Sequence, residues 1–585
     1  MIHADIAPGG AGIALNISAA TPEEITRAIR VRGVQRARGG SLGAPLYPDT
    51  ADDLRAAGVR LSARIVSYLQ NAARVRAYVE RQKTQPARPE PMFPMPLKPE
   101  YQPYDHQVRA YNIALALMLY LHGWEEDGAR TFLPRGAAAM LLDMGTGKSL
   151  ITVAAAGRLY LDGRIWRMLV VAPASVCGVW EAEFARASAF PYRLELLLGE
   201  ARKRRCALAR LQRDDGALQV AVINYESAWR LLDELRAFAP DLIVCDESQR
   251  IKSRSAKQSK AMHDLGAGAR YRMILTGTPI QKDPRDIWSQ FRFLEPGAFP
   301  TNFFAFQARY AQMGGFQGKQ YLRPVNSDEL SRKIHALAYR VRKEDCLDLP
   351  EKVFEDRPAP LEEEAERLYQ RLRKEAVAEL MGGGEISAPH VLTKLLRLQQ
   401  LAGGWVADDS GRLRQVSRAK LDAARDIMET LCLDEGRKLV ILSRFRAELN
   451  ALEEAAQEMG LTYVRIDGSV KPQDRTALVE HFQTDGDCPL FLGILDACAE
   501  GLTLTAAQTI LYYSLTFNYA KYDQSLARIH RIGQTGSCLY IHLVAPGTID
   551  EVILQALKNK EDLARSVVDD WRRLLGETEK ETHDV

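Results

Sequence analysis

A glycine-rich stretch stands where an apolar run gives way to a helix-forming segment. The stretch is MLLDMGTGKSLIT, residues 140–152. At its centre it carries Gly145, Thr146, Gly147, Lys148 and Ser149. Glycines let backbone N–H groups close around a phosphate, and a helix N-terminus adds partial positive charge. In this pattern the lysine reaches the β- and γ-phosphates and the hydroxyl ligates magnesium. The stretch therefore predicts a site for ATP and Mg²⁺, although Leu142 stands where the full pattern begins with glycine.

Two acidic residues end a second apolar run about a hundred residues later. The run is DLIVCDESQ, residues 241–249, and it contains Asp246 and Glu247. In open α/β sheets, ligands bind outside the carboxyl ends of the strands. We expect Asp246 to hold the magnesium ion and Glu247 to orient and deprotonate the attacking water.

Phosphoryl transfer also needs positive charge at the transition state. QSLARIHRIGQ, residues 524–534, offers Arg528 and Arg531, whose spacing of three predicts one helical face. These arginines belong to a second α/β unit. We therefore expect the ATP site to form in a cleft when two units close, so that hydrolysis moves one unit against the other.

The elements that position these residues alternate between strands and helices. Apolar runs such as RMLVVAPA (167–174) and YRMILTGTP (271–279) are separated by helical stretches, and the pattern returns in KLVILSRF (438–445) and CPLFLGILDA (488–497). Continuous apolar strands between helices predict parallel sheets that are covered on both faces. The predicted fold class is α/β, with two parallel-sheet lobes in tandem.

The chain, at 585 residues, is too long for one ordinary domain. Residues 1–97 are predicted to be a mainly helical accessory region with a proline-rich linker, because seven prolines stand between 86 and 103. We expect the first lobe at 98–297 and helical protrusions with an inter-lobe linker at 298–430. The second lobe, with C-terminal helices, is expected at 431–585.

The bulk composition argues against several classes of protein. Hydrophobic residues make up 46%, charged residues 26%, and the net charge is +3, which is ordinary for a soluble globular protein. The eight cysteines form no Cys-x-x-Cys pair, which argues against a zinc finger and favours a reducing compartment. The N-terminus does not resemble a signal peptide, and the apolar stretch 111–124 is too short to span a bilayer. We expect a cytoplasmic monomer with no membrane association.

Taken in order, the motifs resemble those of helicase superfamily two, and specifically of its Swi/Snf-type DNA translocase family. Residues 101–112 resemble the adenine-reading segment, with Gln107 as its glutamine, and residues 275–299 resemble the third motif with its tail. HRIGQ, within 524–534, is the most family-specific string. The likeness covers roughly 100–560. It implies a bacterial or phage-type ATPase with RecA-like lobes, helical insertions between them, ATP and Mg as cofactors, and double-stranded DNA as partner.

The resemblance also implies roles for single residues. Coupling of hydrolysis to DNA is assigned to Gln249, Thr276, Thr278 and Gln524. Contacts with the phosphate backbone are assigned to Pro173, Ser175 and Tyr225 on the first lobe and to Ser443, Arg444 and Thr503 on the second, with Thr276 and Thr278 nearby. Hydroxyls and backbone amides suit contacts that position a duplex without reading its sequence.

Two positions depart from the family pattern. Gln249 stands where relatives have a histidine that links the ATP site to the third motif. Glutamine both donates and accepts hydrogen bonds, so a bridge toward Thr276 or Thr278 is expected to remain possible, without titration. Glu500 stands where the family has a glycine-rich run before Gly501, which places negative charge near the expected phosphate path.

Three functions are consistent with these residues. The leading hypothesis is a motor that hydrolyses ATP to translocate along double-stranded DNA without separating strands, in DNA repair, recombination or replication. The second is a strand-separating DNA or RNA helicase, and the third is an ATP-gated DNA clamp or scaffold with little turnover. Residues 1–97 would recognise branched DNA, bind a protein partner or brace the first lobe. The basic tail of the acidic motif, Arg250, Lys252 and Arg254, is interpreted as a solvated loop.

Overall fold

Two parallel β-sheets organise the computed structural model of the protein, one in each of two units that comprise residues 1–346 and 347–585. The structure describes residues 1–560 apart from 11, 32, 37–40, 127, 212–215, 281–282, 316–319, 347–348, 382–387, 408–411 and 499–500. Within these residues, no helix combines the length and the apolar character that a membrane crossing needs.

The N-terminal region combines a small sheet with three helices. Its elements are β1 (His3–Ile6), β2 (Ile13–Asn16), α1 (Pro22–Arg30), β3 (Gln35–Arg36), β4 (Leu42–Ala44), α2 (Pro48–Ala56), β5 (Arg60–Leu61) and α3 (Ala63–Thr84). The sheet order is β3-β4-β2-β1-β5, with β5 parallel to β1 and the other pairs antiparallel. Helix α1 begins with a capping box, in which the Thr21 hydroxyl and the Glu24 carboxylate each accept from the other residue's backbone N–H. The sequence reasoning did not anticipate this sheet.

A proline-rich strap joins this region to the first large sheet. Residues 85–104 contain no helix and only a single bridge, Leu97 with Ser188. The strap is fixed by hydrogen bonds to neighbouring helices: the backbone N–H of Met92 donates to Oδ1 of Asn112 at 2.7 Å, and that of Lys98 to the carbonyl of Ala187 at 2.9 Å. The prolines thus keep this segment out of regular helix and sheet.

The large sheet of the first unit has seven strands. Its sequence of elements is α4 (Asp105–Leu115), β6 (Gly123–Glu126), β7 (Ala129–Phe132), β8 (Gly136–Leu142), α5 (Lys148–Leu161), β9 (Arg167–Ala172), α6 (Cys177–Ala187), β10 (Tyr192–Leu196), α7 (Ala201–Arg210), β11 (Leu218–Asn224), α8 (Tyr225–Ala228), α9 (Leu232–Phe238), β12 (Leu242–Asp246), α10 (Lys257–Gly268), β13 (Tyr271–Leu275), α11 (Asp286–Leu294), α12 (Phe303–Tyr310), β14 (Ala311–Gly314), β15 (Gln320–Pro324), α13 (Ser327–His335), β16 (Ala338–Val341) and α14 (Lys343–Cys346). The order is β10-β11-β9-β12-β13-β8-β16, and every pair is parallel. Strands β6 with β7 and β14 with β15 form two separate hairpins.

This strand order brings the predicted motifs of the first unit together. All residues of β8, β12 and β13 are buried, as expected for strands covered on both faces. Because β13 lies between β8 and β12, the carboxyl ends of these three strands are neighbours, at the usual spacing of about 4.8 Å per strand. The glycine-rich loop, the acidic strand end and Thr276 therefore share one edge of the sheet.

The second unit has a six-stranded parallel sheet of order β17-β24-β23-β20-β22-β21. Its elements are β17 (Lys352–Pro358), α15 (Glu363–Met381), α16 (Ala388–Ala402), β18 (Trp405–Ala407), β19 (Leu413–Gln415), α17 (Ala419–Met428), β20 (Leu439–Ser443), α18 (Arg446–Glu458), β21 (Tyr463–Ile466), α19 (Pro472–Thr484), β22 (Leu490–Ile494), α20 (Leu495–Cys498), β23 (Thr509–Tyr512), α21 (Tyr519–Leu526), β24 (Cys538–Val544) and α22 (Ile549–Lys558). The α/β fold class with two tandem parallel-sheet lobes is confirmed. The three domain boundaries drawn from the sequence stay predictions.

Candidate active site

The glycine-rich loop between β8 and α5 depends on two glycines for its shape. Gly145 and Gly147 have φ values of +84° and +89°, in the left-handed region that favours glycine. A Cβ on Gly147 would lie 2.3 Å from Nε2 of Gln107, so glycine is also needed there for space. Thr146 closes the loop, because its hydroxyl donates to the carbonyl of Asp143 at 2.8 Å. The loop thus leads directly into the N-terminus of α5, which favours anions.

Lys148 and Ser149 are the first two residues of α5, and both are half-buried. The ammonium of Lys148 donates to the carbonyl of Leu142 at 3.0 Å, so the side chain folds back over the loop. A phosphate in the loop would compete for this ammonium, because a charge-assisted hydrogen bond is stronger than one to a neutral carbonyl.

The start of α4 braces the loop from the other side. Nε2 of Gln107 donates to the carbonyl of Thr146 at 3.2 Å, and its Oε1 accepts from the backbone N–H of Tyr104 at 3.0 Å. The ring of His106 reaches the same Thr146 carbonyl at 2.9 Å, and burial lowers the pKa of this histidine. Gln107 is therefore placed against the phosphate loop, while its contact with adenine stays a prediction. The sequence reasoning overlooked His106, although it precedes Gln107 directly.

Asp246 ends β12 and is held by three neighbours. Its carboxylate accepts from the indole N–H of Trp180 at 3.1 Å and from the backbone N–H of Glu247 at 2.9 Å. Its carbonyl accepts from the hydroxyl of Tyr225 at 2.8 Å. Burial raises the pKa of Asp246, and the nearby charge of Glu247 adds to this, while Lys148 opposes it. A cation beside Asp246 would remove the cost of keeping this buried carboxylate ionised.

Glu247 and Gln249 connect the acidic strand end to the next strand. Nε2 of Gln249 donates to Oε2 of Glu247 at 2.8 Å, and Oε1 of Gln249 accepts from the hydroxyl of Thr276 at 2.8 Å. Oγ1 of Thr276 in turn accepts from the backbone N–H of Thr278 at 3.0 Å. The bridge that the sequence left possible for Gln249 is thus present, and it ends on Thr276.

The backbone at Glu247 is strained. Its φ of +48° lies in the left-handed region, which a residue with a side chain occupies at a cost of about 1–3 kcal/mol. Such strain persists where the surroundings enforce it and is common at active sites. Here the neighbouring Ser248 is fixed by a hydrogen bond from its hydroxyl to Oε1 of Gln290 at 2.7 Å.

The predicted magnesium ligands fit that ion by their chemistry. Ser149 offers a hydroxyl at the start of α5, and Asp246 offers a carboxylate whose two oxygens each accept one protein hydrogen bond and retain a further lone pair. Mg²⁺ prefers oxygen ligands and is usually held by one or two protein groups together with substrate phosphates. Bound there, the ion would neutralise developing charge on the phosphates.

The residues assigned to DNA on the first unit differ in their exposure. Ser175 and Thr278 are half-buried at the carboxyl edge of the sheet, whereas Pro173 is buried. Tyr225 is fully buried, and its hydroxyl is used by Asp246. Its side chain is therefore placed in the core beneath the acidic strand end and not at the surface, as a direct phosphate contact would require. A buried, hydrogen-bonded tyrosine could not be told from an exposed one by its motif alone.

Arg528 and Arg531 of the second unit do not lie on a helical face, because α21 ends at Leu526 and both arginines follow in turns. The helical-face expectation was wrong, yet both guanidinium groups reach the carbonyl of Leu502, at 3.0 and 3.4 Å. Arg531 also donates to the hydroxyl of Thr503 at 2.7 Å. Gln524 is half-buried, and its backbone carbonyl accepts a hydrogen bond from Nε of Arg528 at 2.9 Å.

Arg444 follows β20 and is held by side chains. Its Nη1 donates to Oε1 of Gln399 at 3.1 Å, and its guanidinium lies 4.7 Å from the ring centroid of Phe517. Burial lowers the pKa of Arg444. Ser443 is fully buried, so its predicted phosphate contact would have to come from its backbone. Glu500 lies outside the described residues.

A glycine-rich loop and an acidic strand end, separated by one strand at the carboxyl edge of a parallel sheet, are the combination typical of P-loop nucleoside triphosphatases. Comparison with known families gives the particular class. The SNF2-related domain matches residues 106–403, and the helicase conserved C-terminal domain matches residues 419–533. The chain belongs to the SNF2-related family.

Several relatives are larger than this chain. It is 27% identical to the DNA annealing helicase and endonuclease ZRANB3 of Mus musculus, over 78% of this chain and 41% of that protein. It is also 27% identical to a SWI/SNF-related matrix-associated actin-dependent regulator of chromatin subfamily A-like protein 1 homolog of Caenorhabditis elegans, over 77% of this chain and 62% of that one. The chain thus spans about two to three fifths of the length of these relatives. A solved Sulfolobus solfataricus SWI2/SNF2 ATPase core in complex with dsDNA is 23% identical, with a TM-score of 0.38, over 83% of this chain and 96% of that one.

Proposed function

We propose that the protein is a DNA-dependent ATPase that translocates along double-stranded DNA without separating its strands, in DNA repair, recombination or replication. The observation that carries this proposal is the Glu247–Gln249–Thr276 bridge. It joins the carboxylate expected to act as general base to a motif that the family resemblance assigns to coupling with DNA. A duplex that shifts Thr276 or Thr278 would therefore change the position of the general base.

Each step of hydrolysis has a residue suited to it. The loop from Gly145 to Ser149 would hold the phosphates, and Lys148 would turn from the Leu142 carbonyl toward them. Oε2 of Glu247 is engaged by Gln249, which leaves Oε1 to accept a proton from the attacking water. Arg528 and Arg531 would supply positive charge to the transition state, as the motif resemblance implies.

The N-terminal region is proposed to brace the first unit. The ammonium of Lys83 donates to the carbonyl of His335 at 2.7 Å. Asp49 forms ion pairs with Arg76 and with Lys333 of α13. These contacts tie α2 and α3 to the helical protrusion that contains α13, which favours bracing over the recognition of branched DNA. A protein partner, the monomeric state and a cytoplasmic location stay predictions.

The experiment that tests this function compares ATP hydrolysis in the presence of duplex DNA, single-stranded DNA and RNA. We expect the duplex to stimulate hydrolysis most, with no strand displacement from a forked duplex. Stimulation by single strands alone would favour the strand-separating helicase. Slow turnover that ignores DNA, together with tight ATP-dependent DNA binding, would favour the clamp.

The control for this experiment is Glu247→Gln. The amide keeps the size of the side chain and its hydrogen bonding but cannot accept the proton of water. We expect duplex-stimulated turnover to fall at least about 100-fold, in line with the contribution of a general base, while ATP binding persists. Full turnover in this variant would show that another group acts as the base.

A further inference from the structure

Aromatic rings and unpaired cations lie side by side at the carboxyl edge of the first unit's sheet, outside the residues used above. This cation–aromatic strip consists of Trp229, Arg230, Arg254, Lys257, Phe303 and Phe304. Trp229 and Arg230 follow α8, Arg254 and Lys257 follow the acidic strand end, and the two phenylalanines begin α12. From the contacts described below, we propose that the strip binds a single DNA strand and forms a second nucleic-acid site.

The strip is held together by cation–aromatic contacts. The guanidinium of Arg254 lies 4.5 Å from the ring centroid of Phe303 and 5.2 Å from that of Phe304. The ammonium of Lys257 lies 4.6 Å from the ring centroid of Trp229, and the guanidinium of Arg230 lies 5.1 Å from it. Arg254 and Lys257 are three residues apart, so at most about 11 Å of backbone separates the two groups. The two groups of contacts are therefore neighbours along the chain.

Its cations are available for an anion. Arg230, Arg254 and Lys257 are exposed, and in the described part of the chain none of them forms a salt bridge. Arg204 of α7 lies close to this group, since burial and then the positive charge of Arg230 lower the pKa of Arg204. The contacts of Arg230, Arg254 and Lys257 within the strip are to aromatic rings and not to carboxylates. A phosphate backbone supplies the negative charge.

The exposed ring favours an unpaired strand over a duplex. Phe304 is 64% exposed, which is unusual for a side chain of this size, while Phe303 is fixed against Trp288 by an edge-to-face contact of 5.4 Å. Aromatic side chains bind single strands because unpaired bases can stack on them, whereas the bases of a duplex are already stacked. The strip thus combines a fixed ring, Phe303, with an exposed ring, Phe304, and with cations that can bind phosphates. Arg254 accordingly belongs to a binding surface and not to a solvated loop.

This inference deepens the proposed function and rests on it for the class of ligand. A motor that holds a duplex in its motifs and an unpaired strand on the strip would be suited to a junction between the two. The strip lies in the same unit as the ATP site, and Arg254 follows Glu247 by seven residues.

The test measures binding of a fluorescent 20-nucleotide single strand and of a 20-base-pair duplex, without ATP, over a range of salt concentrations. Phe304→Leu should weaken single-strand binding about 10-fold without changing the salt dependence, because it removes a stacking surface and no charge. Phe304→Tyr should restore binding. Arg254→Ala should weaken binding and reduce the slope of log affinity against log salt by about 0.7, as expected for one lost phosphate contact.

The matched control is the double variant Arg164→Ala/Trp166→Ala. Both residues are exposed and precede β9, at the opposite edge of the same sheet. The control should bind the single strand within about twofold of the wild type, and every variant should keep the wild-type rate of duplex-stimulated hydrolysis. The proposal is overturned if Phe304→Leu and Arg254→Ala bind the single strand as tightly as the wild type, or if the control weakens binding equally. A failure of the proposed function would instead appear as wild-type hydrolysis that no duplex stimulates.

Discussion

The two α/β units hold their candidate catalytic side chains in different ways. In the first unit, side chains bind one another: Glu247, Gln249 and Thr276 are joined by two hydrogen bonds of 2.8 Å. In the second unit, the guanidinium groups of Arg528 and Arg531 both donate to the backbone carbonyl of Leu502, and Arg531 also donates to the Thr503 hydroxyl. Glu247 and Thr276 directly follow strands β12 and β13, whereas the two arginines follow helix α21, so the two sets differ in their anchoring and in the element that precedes them.

The two kinds of anchoring respond differently to substitution. A chain of side chains is cut by one change at its middle residue, and the backbone on either side keeps its own hydrogen bonds. Arginines that share one carbonyl are positioned by the loop that carries it, so each can be removed with little effect on the other. A single substitution in the first unit should therefore break the link between Glu247 and Thr276. A single substitution of an arginine in the second unit should instead remove one positive charge.

The largest effect is expected from Arg531→Ala. Removing an arginine that stabilises the transition state lowers turnover by about 10³-fold or more. Arg531 is half-buried, so the melting temperature of the protein should change little. Arg531→Lys keeps the charge but not the planar fork and should recover only part of the rate. Turnover of Arg531→Ala within tenfold of the wild type would remove this residue from the catalytic set.

A smaller effect is expected from cutting the bridge in the first unit. Gln249→Ala should leave ATP affinity within about twofold and reduce duplex stimulation of hydrolysis about 10-fold, because Glu247 loses its link to Thr276. Thr276→Val should do the same, and the double variant should be no worse than either, since contacting residues in one network are not additive. Gln249→His offers the matched variant that retains a hydrogen-bonding group. Additive losses would show that the two residues act separately.

Sequence reasoning could propose the first unit's candidate site because two of its motifs are continuous in the chain. The phosphate loop and the acidic strand end each follow from residues a few positions apart, whereas the Gln249 bridge joins residues 27 positions apart and was left open between Thr276 and Thr278. Trp180 and Tyr225, which hold Asp246, come from helices α6 and α8, and their hydrogen bonds depend on packing that no local spacing encodes. The turn that carries Arg528 and Arg531 reads as helical because it contains no proline and its first glycine is Gly533. The N-terminal sheet was missed since its strands are only two to four residues long.

Arg444 of the second unit is a third case, because the side chains of Gln399 and Phe517 hold its guanidinium. Gln399→Leu would remove the acceptor of its Nη1 and leave Phe517 to hold the guanidinium. We expect duplex affinity to fall about 3- to 5-fold, with turnover at saturating duplex unchanged. Gln400→Leu, the neighbouring position on α16, serves as the control. Wild-type duplex affinity of Gln399→Leu would show that Gln399 does not position Arg444.

The smallest expected effect is on folding stability, which should depend on pH in opposite directions in the two units. Glu295 of the first unit is buried beside His122 and Arg272, and although burial opposes it, the adjacent His122 imidazole and the positive charges of Arg135 and Arg272 lower the pKa of Glu295 to about 2. Glu448 of the second unit is buried with fewer partners, chiefly the hydroxyl of Ser514 at 2.5 Å, and burial raises the pKa of Glu448 to about 7. The ordinary pKa of both glutamate side chains is 4.5.

These opposite shifts predict opposite pH dependences. The contribution of Glu295 to folding is present above about pH 4.5 and is lost as the pH falls toward about 2. The contribution of Glu448 to folding stability is present below about pH 4.5 and is lost as the pH rises through about 7. Glu448→Gln should therefore stabilise the second unit by roughly 1 kcal/mol at pH 8, a rise of about 2–4 °C in its melting transition, and by nothing at pH 5. Glu295→Gln should destabilise the first unit at both values, because it leaves buried cations without their partner. An equal response of Glu448→Gln at pH 5 and pH 8, followed by calorimetry, would show that its carboxyl is ionised in the folded protein throughout this range.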